Sequence, residues 1–326
     1  MRGLQDPVLI NEWHSVIKSE DLQDKPAQAI ILGERIVLYR TADGTPHAMR
    51  DLCVHRGAAL SLGHVQDDLL VCPYHGWMYD EQGRCVCIPA QQERKIPSKS
   101  ATSVYSCKEK YGLVWVNMGQ PADDIPVFEE HEDPSYRSVV SGPYRVKAAA
   151  PRVLENFLDF SHLMWLHAGL LGSPDHPDVP DYKVMPHNGG IRTEAVPIYR
   201  PHADASGKST VNLYVKEALR PLTGKFRKET EGSGDVIAMM LNTRPVLANE
   251  TICYIVISRN FAHDVPDDKY VEFQDLVMGQ DTAVVESQEP EYLPLDLQAE
   301  LSLKSDQMSI AYRKWLKELG VTIGTA

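Results

Sequence analysis

Between residues 28 and 118, short apolar and β-branched runs alternate with turn-forming residues: AIILG, RIVLYRT, TADGTP, DLLVC, WMYDEQGRCVCIP and YGLVWVNMG. That pattern predicts strands joined by tight turns, and so an all-β N-terminal domain over residues 1–120. An acidic, proline-containing segment, PADDIPVFEEHEDP, follows, and beyond it the pattern changes. In VLENFLDFSHLMWLH the apolar residues crowd too densely for an exposed strand and fit a buried helix. Further on, DVIAMMLNTRPV and TICYIVISRNFA flank the short polar stretch LANE and predict an antiparallel hairpin. The terminal DQMSIAYRKWLKELG carries apolar residues at Met308, Ile310, Ala311, Trp315, Leu316 and Leu319, with Gly320 placed as a stop, so a closing helix is expected. The stretches 169–190 and 201–235, rich in Gly, Pro, Asp and Ser, read as long loops. A second domain, residues 121–326, thus mixes a sheet with helices, and the fold class is α+β.

Composition narrows the function. A 43% hydrophobic content over 326 residues suffices for two cores. No run approaches the roughly 18 apolar residues of a membrane span, and MRGLQDPVLINEW lacks a basic start followed by an apolar stretch, so a cytoplasmic chain off the membrane is expected. With 45 acidic against 33 basic residues the net charge is −12, which repels phosphate backbones and argues against nucleic acid. Six irregularly spaced cysteines do not form a secreted disulfide framework and raise the question of metal ligation.

Cys53-Val-His55 and, after sixteen residues, Cys72-Pro-Tyr-His75 each offer one thiolate and one imidazole. Zinc also takes two Cys and two His, but its usual spacing groups like with like. The alternating order fits a [2Fe–2S] cluster with both cysteines on one iron and both histidines on the other. Pro73, Gly76 and Gly83 allow the backbone to bend around such a cluster. Cys85, Cys87, Cys107 and Cys253 are expected to be buried structural thiols.

Asn156, Asp159 and His162 recur every third residue, which on a continuous helix stacks them on one face. A polar row in an apolar helix is either a satisfied patch or a site. His167 would point away from His162 on an ideal helix, so a kink or helix end is expected just before it. Two histidines and a carboxylate with open positions hold Fe(II) for oxygen chemistry, and spacing alone makes Asp159 a candidate for the carboxylate.

CVHRG and CPYHGW resemble the two ligand loops of the Rieske family. Respiratory Rieske proteins carry an extra cysteine in each loop; Ala58 and Tyr74 stand at those positions, which resembles the oxygenase and ferredoxin type. Asp281, Glu286 and Gln288 match the D-x-x-x-x-E-x-Q pattern of a late helix in the Rieske non-haem iron oxygenases, and the length, the ESQ ending and AYRKWLKEL are similar to their trimeric demethylase and hydroxylase branch. The resemblance implies a helix-grip, START-like catalytic domain with mononuclear iron on His162, His167 and Asp281. It implies that Asp159 links the iron-site histidine to His75 of a neighbouring subunit and carries electrons across, and that Asn156 sits near the open iron position. It further implies a homotrimer that uses dioxygen and electrons, ultimately from NAD(P)H, delivered by a separate reductase or ferredoxin. Gly232-Ser-Gly234 lacks the third glycine of a dinucleotide fingerprint, consistent with an external donor. Monooxygenation of a small organic molecule, by hydroxylation or oxidative O- or N-demethylation, is the expected reaction. Ring cis-dihydroxylation, an electron carrier without oxygen chemistry, and a zinc-stabilised module are the competing readings. Tyr199, Arg200, Met239, Asn242, Arg244 and Asn260 fall where a pocket could form, and sequence assigns them no role.

Overall fold

A computed structural model describes residues 5–200 and 209–326, which form two compact units, Met1–Ile125 and Pro126–Ala326. In the first, Asp6 caps the short helix α1 (Pro7–Ile10) by accepting the backbone N–H groups of Val8 and Leu9. Ten strands follow: β1 (His14–Lys18), β2 (Ala27–Ile31), β3 (Glu34–Arg40), β4 (Pro46–Arg50), β5 (His64–Gln66), β6 (Leu69–Val71), β7 (Met78–Tyr79), β8 (Cys85–Cys87), β9 (Val104–Lys110) and β10 (Leu113–Asn117). They build an antiparallel sheet in the order β1-β10-β9-β4-β3-β2 and a smaller one in the order β5-β6-β7-β8. Three of the hairpins close through two residues of positive φ, at Leu32-Gly33, Asp67-Asp68 and Tyr111-Gly112. Such turns match the natural twist of paired strands and set their register. Val37, Tyr39, Met49, Leu60, Leu70 and Tyr79 pack around Cys53 and Cys72, so both thiols belong to the hydrophobic core.

The second unit opens with α2 (Glu129–Glu132), β11 (Arg137–Val146) and helix α3 (Ala150–Leu158). Then come β12 (Val184–His187), β13 (Gly190–Thr193), β14 (Val196–Arg200), β15 (Thr210–Arg220), β16 (Thr223–Thr230), β17 (Val236–Leu247) and β18 (Glu250–Arg259). Helices α4 (Asp267–Val285) and α5 (Gln307–Leu319) complete it. The antiparallel sheet runs β11-β18-β17-β16-β15-β13-β12, with β14 also paired to β15. The long β17–β18 hairpin and the closing helix, ended by Gly320 in the left-handed region, lie where the hydrophobic pattern places them. The α+β class holds. Gly224 lets α3 sit close on the sheet, since a Cβ there would lie 2.7 Å from Leu154 Cδ1. Buried ion pairs tie α3 to α5: Arg313 donates to both oxygens of Glu155 and to Glu300, and Arg152 donates to Glu300.

Three expectations are corrected. The stretch 201–235 is not a long loop: residues 201–208 lie outside the described residues, and most of the remainder is β15 and β16. Its alternation is real, with Tyr214 and Lys216 on one face and Leu213 and Val215 on the other, but polar residues occupy both faces and hide the period. Residues 153–167 are not one helix. α3 stops at Leu158 because Asp159 turns extended (φ −76°, ψ 146°), and a single 3₁₀ turn follows at Ser161–Met164. The α-helix thus ends earlier than the apolar run suggests, while the 3₁₀ turn that carries His162 ends at Met164, shortly before His167, where a helix end is expected. Of the four additional cysteines, Cys85 and Cys253 are buried, whereas Cys87 and Cys107 are only partly so. Among the described residues no helix is long and apolar enough to cross a membrane.

Candidate metal centres and active-site cavity

In the first unit two loops, Cys53–Gly57 and Cys72–Gly76, bring the Cys/His pairs together. Each closes on itself through a backbone bond, Gly57 N–H to Cys53 O and Gly76 N–H to Cys72 O, with both glycines at positive φ. The rings of His55 and His75 lie 4.5 Å apart, and Trp77 stacks on His55 at 4.6 Å. Both cysteines are 1% exposed, neither is in a disulfide, and burial raises the Cys72 thiol above its ordinary pKa. Two adjacent buried thiols cannot both ionise without a compensating cation. His55 Nδ1 is buried and has no hydrogen-bond partner, as suits an atom reserved for a metal. Burial, then His75 and Arg56, hold the His55 imidazole below its ordinary value and so neutral at pH 7, as ligation needs. This donor set fits the group.

In the second unit, three side chains from two segments converge. His162 comes from the 3₁₀ turn, His167 from the turn after it, and Asp281 from α4. Their ligand atoms all lie within 4.8 Å of one another: His167 Nε2 is 3.1 Å and His162 Nε2 3.8 Å from Asp281 Oδ1. His167 and Asp281 are buried. Each histidine spends its other ring nitrogen on a fixed acceptor, Nδ1 of His162 on Asp159 Oδ2 at 2.8 Å and Nδ1 of His167 on Gln280 Oε1 at 2.7 Å. That leaves Nε2 of both rings toward the carboxylate, the tautomer a metal requires. Burial presses the His167 imidazole down, but its bonds to Asp281 and Gln280 outweigh this and raise its pKa.

Asp159 is the C-cap of α3, not a member of a helical row, so Asn156, Asp159 and His162 do not share one helix face. Burial opposes its ionisation, yet the ring and amide of His162, with the charge of Lys216, lower its pKa and keep it a carboxylate. Lys216 was not singled out by the sequence. Its buried ammonium donates to the carbonyls of Phe157 and Asp159 and pins the chain where it leaves α3, and desolvation lowers its pKa to about 8.

The triad forms part of the wall of a cavity of about 380 Å³. On α4 the residues facing it are Lys269, Tyr270, Phe273, Gln274, Val277, Met278, Asp281, Thr282 and Val285, a stripe at helical spacing. Asp281 is the sole carboxylate in that stripe, a signal present in the sequence once the helix is known. Asn156 also lines the cavity, as do Arg200 and Met239. Asn242 and Asn260 instead serve the strands, bonding Thr223 and Val236, and Tyr199 packs at a tilt against His176. Gln280 was also missed; its place beside Asp281 was the available clue.

Comparison with known proteins agrees with this architecture. Residues 12–106 match the Rieske [2Fe-2S] domain and residues 146–322 the vanillate O-demethylase oxygenase C-terminal domain. The chain is 33% identical to methylxanthine N1-demethylase NdmA of Pseudomonas putida, over 94% of this chain and 88% of that one. The solved structure of NdmA superposes with a TM-score of 0.84 at 32% identity, covering 95% of this chain and 90% of that one. Dicamba monooxygenase, at 24% identity and a TM-score of 0.82 over 95% and 97% of the two chains, shares the fold. The chain belongs to the Rieske oxygenases, in the branch that contains the methylxanthine and vanillate demethylases. It is the oxygenase component of such a system, an oxidoreductase of the monooxygenase kind, as its ligand loops and late-helix motif led one to expect.

Proposed function

We propose that Cys53, His55, Cys72 and His75 hold the [2Fe–2S] cluster, and that His162, His167 and Asp281 hold a mononuclear ferrous ion beside the substrate cavity. Bound there, the ferrous ion would supply dioxygen activation and the cluster one-electron redox chemistry, with electrons ultimately from NAD(P)H through a separate reductase or ferredoxin. The reaction is monooxygenation of a small organic molecule, as hydroxylation or as oxidative loss of an O- or N-methyl group. The observation that carries this reading is the convergence of two Nε2 atoms and one carboxylate oxygen within 4.8 Å on a cavity wall, with both Nδ1 atoms already occupied.

The protein's own groups then divide the remaining work. Asp159 and Gln280 orient the imidazoles; Asp281 supplies the negative charge; apolar side chains such as Phe226, Met239 and Val277 exclude water from the reacting region. Asn156 presents an amide to the cavity beside the triad and steadies whatever occupies the open side. His75 is exposed, so it is available to a second copy of the chain. On this reading the protein works as a cytoplasmic homotrimer, with Asp159 reaching His75 of the partner subunit as the electron path.

Iron stoichiometry tests it. Fully loaded protein should carry three irons per chain, and Asp281→Ala should drop to two while the cluster's visible and electron paramagnetic spectra persist. Two irons in the unsubstituted chain would leave an electron carrier. With a surrogate reductase and oxygen-18 gas, label should enter product as a single atom; two labelled hydroxyls on adjacent carbons would instead mean dihydroxylation.

A further inference from the structure

The cavity is apolar along most of its length but basic at one end. Strands β15, β16 and β17 form its floor in paired rungs: Lys216, Phe226 and Met239 make one, and Tyr214, Lys228 and Ile237 make the next. Two residues along a strand is about 6.7 Å, so Lys228 stands one rung away from Lys216, whose ammonium holds the Asp159 carbonyl beside the triad. Arg200, at the end of β14, lines the same cavity, is 7% exposed and lies in hydrogen-bonding range of the Tyr214 hydroxyl. Its Nη2 donates to the Leu170 carbonyl at 2.6 Å, but its Nε is buried without any partner. Among the described residues the charged neighbour of Lys228 is Arg200, a second cation, and no carboxylate pairs with either. Burial and that guanidinium push the Lys228 ammonium well below its ordinary pKa.

A guanidinium and a lysine amine facing the same small, largely apolar cavity disfavour each other's charged forms and give up solvation. The arrangement is stable and useful when an anion enters between them. A guanidinium with a free N–H beside an ammonium matches the oxygens of a carboxylate or sulfonate, and charge-assisted bonds of this kind are the strong ones. Resting on the iron-site reading above, we propose that the substrate is a small, ring-sized organic acid. Its carboxylate or sulfonate docks on Arg200 and Lys228, and its apolar body lies across Phe226, Ile237 and Met239 toward His162, His167 and Asp281.

The test is equilibrium binding, by calorimetry under anaerobic conditions, of methoxybenzoates, methoxybenzenesulfonates and the matching neutral methoxybenzamides to the iron-loaded enzyme. The acids should bind at least tenfold more tightly than the amides. Lys228→Met should weaken the acids tenfold or more and leave the amides unchanged, whereas Lys228→Arg should keep the preference. Acids that bind no better than amides, or not at all, overturn the proposal, as does an acid-to-amide ratio that Lys228→Met leaves intact. Should Lys228→Met fail to fold, the ratio in the unsubstituted enzyme and in Arg200→Gln decides. Iron content of the same preparation is read separately. Two irons with an intact acid preference sink the iron-site reading and keep the anion pole, while three irons without a preference do the reverse.

Discussion

The Asp159 carboxylate serves His162 twice: Oδ2 accepts the residue's backbone N–H at 2.8 Å and its ring Nδ1–H at 2.8 Å. One side chain thus starts the 3₁₀ turn that carries the histidine and fixes the histidine's tautomer. Asp159→Asn keeps an acceptor but removes the charge that makes Nε2 basic. Turnover should fall about 10- to 100-fold, the usual effect of losing such a partner, with the cluster's absorption spectrum unchanged. Activity within twofold of the unsubstituted enzyme would contradict this role.

Gln280 does the same for His167 through a side-chain carbonyl at 2.7 Å. Gln280→Leu frees the ring to rotate and to protonate on the wrong nitrogen. Affinity for ferrous ion, measured by competition with a chelator, should drop about tenfold or more, and Gln280→Glu should restore most of it.

Tyr79 Oη lies 3.2 Å from Cys53 Sγ and accepts the Val54 N–H at 3.3 Å, so its proton is directed to the sulfur. A donor to a ligand thiolate favours the more negative, reduced cluster. Tyr79→Phe should lower the reduction potential by on the order of 40 mV, which is about 1 kcal/mol for a one-electron couple. Protein-film voltammetry would show the shift, and an unchanged or raised potential would exclude the interaction.

Arg313 is the main partner of buried Glu155, holding it through Nε and through Nη2 at 2.9 Å. Arg313→Met leaves that carboxylate largely uncompensated and should cost about 3 kcal/mol or more in denaturant unfolding. Burial raises the pKa of Glu155, so the folded variant keeps a proton that the unfolded chain releases near pH 4. Its stability should therefore decline as pH rises from about 4 through that raised value. A variant as stable as the parent at neutral pH would show the network to be dispensable.

What a sequence states plainly is whatever depends on near neighbours. CVHRG and CPYHGW are legible because each ligand loop carries its own cysteine, histidine and bend within a few residues. The β17–β18 hairpin and α5 declare themselves for the same reason, since turn residues and period lie in one stretch. Asp281 could be singled out only through its resemblance to a known late-helix motif, because 114 residues separate it from His167 (281 − 167 = 114). The polar row from Asn156 to His162 was visible, but its geometry was not: whether Asp159 continues a helix or ends it depends on the Lys216 ammonium, which arrives from a strand more than fifty residues later. Gln280, Lys216, Arg200 and Lys228 acquire meaning only once the sheet and α4 enclose a common cavity. Removal from water turns their ordinary amide and charges into groups that must each find a partner.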